Sequence, residues 1–238
     1  MVNAGSASAS EILAAAMQDY ERAIIVGSTT TFGKGTVQRF IDLDRAVENS
    51  YNSIKPLGSV KLTTQKFYRI DGTTTQLKGV EPDIVLPDRY AYIDRGEKEH
   101  EYPMEWDEIE PAIYKTTGHL KHLKTIKKQS EARVKSNKTF QLIAQSAKEL
   151  KEDRDQDYGY LEFDAYRADE DKATERAKKY KDMFEEIEGL KIASLKADAD
   201  YIQSDSSRIA RFEDWHKGLR KDVYLEETLQ IMNDLIEN

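Results

Sequence analysis

Residues 1–40 read MVNAGSASASEILAAAMQDYERAIIVGSTTTFGKGTVQRF. They contain an alternating run, Ser6-Ala7-Ser8-Ala9-Ser10-Glu11, placed directly before ILAAAMQDY. The small residues of that second stretch predict a helix that packs closely against a sheet. Serine hydroxyls at a helix threshold lie beside N–H groups with no intrahelical partner. Such a hydroxyl can cap the helix, and the same N–H groups can stabilise a developing oxyanion. Ser10, with Glu11 beyond it, suits capping. One serine can cap while another attacks.

Working outward, IIVG (24–27) and SVKLTTQKFYRI (59–70) read as strands, and GVEPDIVLP (79–87) as one more short strand closed by Pro87. All five prolines fall between Pro56 and Pro111, and the remainder reads as helix punctuated by polar turns. This shift predicts an α+β chain with two domains, 1–95 and a mainly helical 96–238. Three apolar stripes at helical spacing are expected to be core faces. They are Phe140, Ile143, Ala144, Ala147 and Leu150; Ala173, Ala177, Tyr180, Phe184 and Ile187; and Leu225, Leu229, Met232 and Leu235. YLEFDAY (160–166) alternates and predicts a strand. The basic run from Lys121 to Lys135 reads as a solvated helix side.

Composition narrows the chemistry. Of 238 residues, 39% are hydrophobic and 34% charged, with a formal net charge of −8. An acidic balance argues against nucleic acid as the main partner. Cysteine is absent, which excludes disulfides, thiolate catalysis and cysteine-ligated metals. His119 and His122 are three apart, but LKHLK reads as a solvated face, and no metal or cofactor is expected. No apolar run approaches the roughly 20 residues that span a bilayer, and no signal peptide is legible.

Lys34 lies between Gly33 and Gly35. A phosphate loop would need four residues between its glycines and a hydroxyl after the lysine. Here five residues separate Gly27 from Gly33, and Gly35 takes the hydroxyl position. The alternative is a serine–lysine dyad, in which a neutral amine takes the serine proton. Lowering a lysine from about 10.4 to near neutrality corresponds to about 4 kcal/mol, which burial without a carboxylate partner can supply. If TVQ is extended, positions 34, 36 and 38 share one face, and the Gln38 carboxamide can hold the amine without charging it. A glutamine that only completes sheet hydrogen bonds is the other reading. Asp19 lies about 16 Å from Ser8 along a continuous helix, too far for contact, and reads as structural.

SASASE, AAAMQDY and FGKGTVQ together resemble the carboxyl-terminal processing peptidases, most closely their tail-specific branch. The likeness continues through LGSVKLTTQKFYRIDGTTTQLKGVEPDIVLP (57–87) and MEWDEIEPAIY (104–114) and faintly through the helical tail. It implies Ser8 as nucleophile, Lys34 as general base, Gln38 as the lysine's partner, and the N–H of Ala9 as one oxyanion donor. It also implies the C-terminal part of a crotonase-like or Clp-like protease core, a mixed sheet with packed helices, followed by the helical domain. The loop before Lys34 is a residue longer than in the best-known relatives.

In that family a PDZ domain and the second oxyanion donor lie upstream of the serine. The chain is therefore expected to be a C-terminal part of a longer endopeptidase, and inactive or nearly so alone. Protein substrates with exposed C-terminal tails, an envelope adaptor, and a bacterial periplasmic or envelope location are the implied setting. Sheet edges left uncovered would favour self-association. The alternative is that the helical half is a binding or assembly module for an adaptor or a second protomer.

Overall fold

The computed structural model describes residues 1–47, 49–118 and 120–237. Helix α1 (Ala9–Asp19) starts from Ser8, whose backbone takes φ 56° and ψ −113°. Ser8 rather than Ser10 is the N-cap, so Ser10 falls in the first turn. Ser8-Ala9-Ser10-Glu11 is the S-x-x-E arrangement that starts helices, and it registers on the earlier serine. Ala14 and Ala15 pack with Ile25 and Val80, joined at the margin by Val2 and Met17. Their small side chains let the helix sit close to the chain around β1 (Val26–Gly27). Val2 bridges to Gly27 in parallel, and its N–H donates to the Val26 carbonyl at 2.9 Å.

Strands β2 (Thr36–Asp42) and β3 (Ser59–Lys66) form an antiparallel hairpin running from the pair Thr36 and Lys66 to Asp42 and Ser59. A bulge between Val37 and Gln38 breaks the strict alternation expected of positions 34, 36 and 38. Most of the hairpin is exposed, with Phe40 at 73%. The end of α1 is tied to the loop after β3, where the Arg69 guanidinium grips both oxygens of Asp19 and donates to Gln18 Oε1 at 3.0 Å. Asp19 is thus structural. Burial works against the Arg69 charge, but the Asp19 carboxylate outweighs it and holds the guanidinium pKa above its ordinary value.

The chain divides into two compact units, 1–83 with 94–121, and 84–93 with 122 onward. The stretch after residue 95 bonds to groups of the first unit. Glu97 N–H donates to the Phe32 carbonyl at 2.9 Å, Ile109 N–H to Gly72 at 2.9 Å, and Trp106 Nε1 to Thr74 at 3.1 Å. Composition carries no trace of such distant pairings.

The second unit holds the short strand β4 (Ile84–Val85) and helices α2 (Leu123–Ser136), α3 (Lys138–Asp155), α4 (Phe163–Lys181), α5 (Ala199–Gln203), α6 (Ser206–Leu219) and α7 (Val223–Glu237). Asn137 caps α3, accepting from Thr139 and Phe140 N–H groups. Asp205 caps α6 in the same way. Ile126, Phe140, Ile143, Ala147, Val223 and Ile231 are buried, and Phe140 meets Tyr224 edge to face at 5.6 Å.

Two of the three predicted stripes are corrected. On α7 the buried line is Val223, Glu227 and Ile231, because Arg133 of α2 reaches Glu227 at 2.8 Å and Asp234 at 2.8 Å. Leu229, Met232 and Leu235 are left exposed at 38%, 52% and 38%. Helix α4 buries none of its residues, and Phe184 beyond its end is exposed. Ion pairs Arg176–Asp153 and Lys179–Glu149 hold α4 against α3 instead of an apolar seam.

YLEFDAY is not a strand. Glu162 caps α4 by accepting from Asp164 and Ala165 N–H groups, and the chain is helical from Phe163. Alternation over so few residues needs a partner strand, and a local cap needs none.

Candidate functional site

Ser8 occupies the N-cap with a left-handed φ, a conformation that costs a non-glycine residue about 1–3 kcal/mol and persists where its surroundings over-determine it. Here the surroundings are visible. Ser8 N–H donates to Glu11 Oε2 at 2.8 Å, and Glu11 N–H donates back to the Ser8 carbonyl at 2.9 Å. Ala9 is the first residue of α1, so its N–H belongs to the turn that lacks intrahelical acceptors.

Lys34 is carried by a loop whose glycines are both required. Gly33 has φ 90°, and a Cβ on Gly35 would lie 2.5 Å from Thr74 Oγ1 and 2.6 Å from Gln76 N. From this loop Lys34 Nζ donates to Gln38 Oε1 at 3.3 Å. The bulge in β2 therefore does not prevent the contact. A neutral amide oxygen steadies the amine without the pull toward the ammonium that a carboxylate would exert. Among the described residues no direct hydrogen bond joins the Ser8 hydroxyl to the Lys34 amine.

What links the two is Glu11, which in the sequence stands only as a neighbour of a helix cap. Its side chain is fully buried. Oε1 accepts from Thr31 Oγ1 at 2.5 Å and Gly33 N–H at 2.7 Å; Oε2 accepts from Ser8 N–H at 2.8 Å and Lys34 N–H at 2.9 Å. Thr31 Oγ1 in turn accepts from Val80 N–H at 2.7 Å. One carboxylate thus fastens the peptide of the predicted nucleophile to that of the predicted base. The S-x-x-E spacing was the available signal, but it points to a cap and not to a bridge across 23 residues.

Other groups seat the same loop. The Thr75 hydroxyl donates to the Lys34 carbonyl at 3.4 Å, and buried Gln76 accepts from Gly35 N–H at 2.9 Å. Behind them, Asp71 Oδ1 accepts from Thr73 N–H and Oγ1 at 2.9 and 2.7 Å. Burial alone would raise the Asp71 pKa, but the Thr73 hydrogen bonds and the Arg69 charge hold it below the usual carboxylate range. Of the two histidines in and beside LKHLK, read as a solvated face, His119 lies outside the described residues, and His122 is the N-cap residue of α2.

This arrangement is a strained serine at a helix start and a lysine on a braced loop. It meets its counterparts in sequence comparisons. Residues 1–86 match peptidase family S41, and residues 90–237 match the family described as the C-terminal domain of tail specific protease. The first match defines a peptidase class. The second is narrower: the chain belongs to the tail-specific protease family.

It is 36% identical over 209 residues to the tail-specific protease of Haemophilus influenzae, covering 86% of this chain and 29% of the relative. A carboxy-terminal-processing protease of Bartonella bacilliformis is 46% identical over 98 residues, 40% of this chain and 20% of that protein. A carboxy-terminal processing protease of Bacillus subtilis is 38% identical over 98 residues, 40% of this chain and 18% of that protein. The chain thus spans less than a third of the length of these curated relatives. Among the described residues no helix is long and apolar enough to cross a membrane.

Proposed function

We propose that the chain carries the serine–lysine centre of a tail-specific endopeptidase, with Ser8 as nucleophile, Lys34 as general base and Gln38 as the partner that orients the amine. The observation that carries this reading is the Glu11 bridge between Ser8 and Lys34, together with the Lys34–Gln38 hydrogen bond at 3.3 Å. In this reading Ser8 Oγ attacks the scissile carbonyl carbon as Lys34 Nζ takes its proton. Ala9 N–H donates to the oxyanion. Collapse breaks the C–N bond, the leaving amine takes the proton from Lys34, and an ester remains on Ser8. Water, deprotonated by Lys34, then releases the acid and restores the serine.

The relatives' names support protein substrates cleaved near their C-termini, and a bacterial envelope setting with an adaptor fits that role. We take the first unit as the C-terminal part of a crotonase-like core. One oxyanion donor is assigned, and lack of a second typically costs 10²–10³ in rate, so the chain by itself should turn over little substrate. A fluorophosphonate probe tests the dyad. A Ser8 adduct that disappears in Ser8→Ala and Lys34→Ala supports it; labelling that survives Lys34→Ala removes Lys34 as base. Robust peptide hydrolysis by the chain alone would overturn the low-activity reading.

A second reading, assembly through the helical unit or the hairpin, is favoured by exposed apolar residues on each. Met232 and Ile236 on α7 are 52% and 79% exposed, and Phe40 on β2 is 73% exposed. Sedimentation of the wild type, Met232→Glu/Ile236→Glu and Phe40→Lys would show which surface, if either, mediates self-association. A monomer throughout the concentration range would remove self-association.

A further inference from the structure

Three successive backbone N–H groups carry Lys34, and side chains capture all three. Gly33 and Lys34 donate to Glu11, as described. The third, Gly35 N–H, donates to Gln76 Oε1 at 2.9 Å. Gln76 is fully buried. Its Nε2 donates to the Met104 carbonyl at 3.0 Å and reaches Glu97 Oε1 at 3.5 Å. A donor faces the oxygen end and two acceptors face the nitrogen end, so only one orientation of this carboxamide satisfies its neighbours.

Glu97 is placed by its own N–H, which donates to the carbonyl of Phe32, the residue before Gly33. The wall behind Gln76 is thus tied to the start of the loop that Gln76 holds at its end. Gln76 and Gly35 lie in the stretch matching the peptidase family, Glu97 and Met104 in the stretch matching the C-terminal domain.

We propose that Gln76 is a positioning residue for Lys34, held in register by the Glu97–Met104 segment, so that this segment of the C-terminal match helps set the geometry of the base. The proposal rests on the dyad reading for its catalytic meaning. A buried, doubly anchored amide has one arrangement, and small displacements of a catalytic group are costly to rate. Gln76 touches no reacting atom and acts through the Gly35 peptide.

The test reads Lys34 itself in the full chain. A limiting amount of acetic anhydride is added across a pH series, and Lys34 acetylation is quantified by mass spectrometry relative to Lys172 on exposed α4. Gln76→Glu keeps an oxygen for Gly35 but puts negative charge where Nε2 faced two acceptors; Gln76→Met keeps the bulk and removes all three hydrogen bonds. The Lys34 to Lys172 ratio near pH 8 is expected to change about threefold or more in each folded variant, because either the charge or the placement of the amine has altered. The Lys61 to Lys172 ratio controls for general loosening of the fold and is expected to stay constant.

If Gln76→Met does not fold by circular dichroism, Gln76→Glu and Glu97→Gln decide. Wild-type Lys34 ratios in the folded variants overturn the proposal. The dyad reading fails separately, by fluorophosphonate labelling of Ser8 that survives Lys34→Ala, and that result leaves the acetylation comparison intact.

Discussion

Glu11 shows how much one side chain can decide. A carboxylate with four donors around it, wholly removed from water, is stable only because every one of those donors is a fixed N–H or hydroxyl. Glu11→Gln puts an NH₂ group against N–H donors and should destabilise the first unit by roughly 2–3 kcal/mol, read from denaturant unfolding. It should also abolish fluorophosphonate labelling of Ser8 while the variant remains folded. Gln38→Glu tests the opposite case, charge added at the amine's partner. A carboxylate within hydrogen-bond reach favours the ammonium, so the pH dependence of Ser8 labelling should move alkaline by about one unit or more. An unmoved profile would mean that Gln38 does not steady the base.

At the scale of elements, polar contacts choose faces that apolar periodicity alone would assign differently. Helices α2 and α7 meet through Arg133, whose charge burial opposes and Glu227 and Asp234 restore, holding its pKa above the ordinary value. Glu227 is 3% exposed, so removing it strands a partly covered guanidinium. Glu227→Ala should cost about 3 kcal/mol in the thermal unfolding of the helical unit. Leu229→Ala on the exposed stripe should cost well under about 1 kcal/mol by the same measurement. Were the two equal, the apolar stripe would be the true packing face. The hairpin teaches a related point: the bulge at Val37 and Gln38 spoils strict alternation, yet the flexible Lys34 side chain still reaches Gln38.

At the scale of the whole molecule, Tyr224 gives the helical unit a pH limit. Its hydroxyl donates to the Pro87 carbonyl at 2.8 Å, and burial, with Asp88 and Asp222 nearby, pushes its pKa up to about 12. The folded form binds this proton more tightly than the unfolded chain, whose tyrosine titrates near 10. The contribution is therefore complete below about pH 10 and is lost as pH rises toward 12. Alkaline unfolding followed by circular dichroism should show that loss in the wild type and a flatter decline in Tyr224→Phe. Equal slopes would place the hydroxyl in water.

Much of this protein is legible from its chain alone. Ser8 in its alternating run and Lys34 between two glycines are visible as candidates from their immediate neighbours, and the α1 helix, strand β3 and the Phe140 stripe follow from propensity and period. The α+β class follows as well. Local signals fail where a partner lies far along the chain. Glu11 reaches Lys34, Gln76 joins Gly35 to Met104, and Arg133 selects the face of α7 through Glu227. Sequence thus determined which groups are candidates to react. The tertiary structure decided how they are held, because a buried polar group must find its partners wherever the fold brings them.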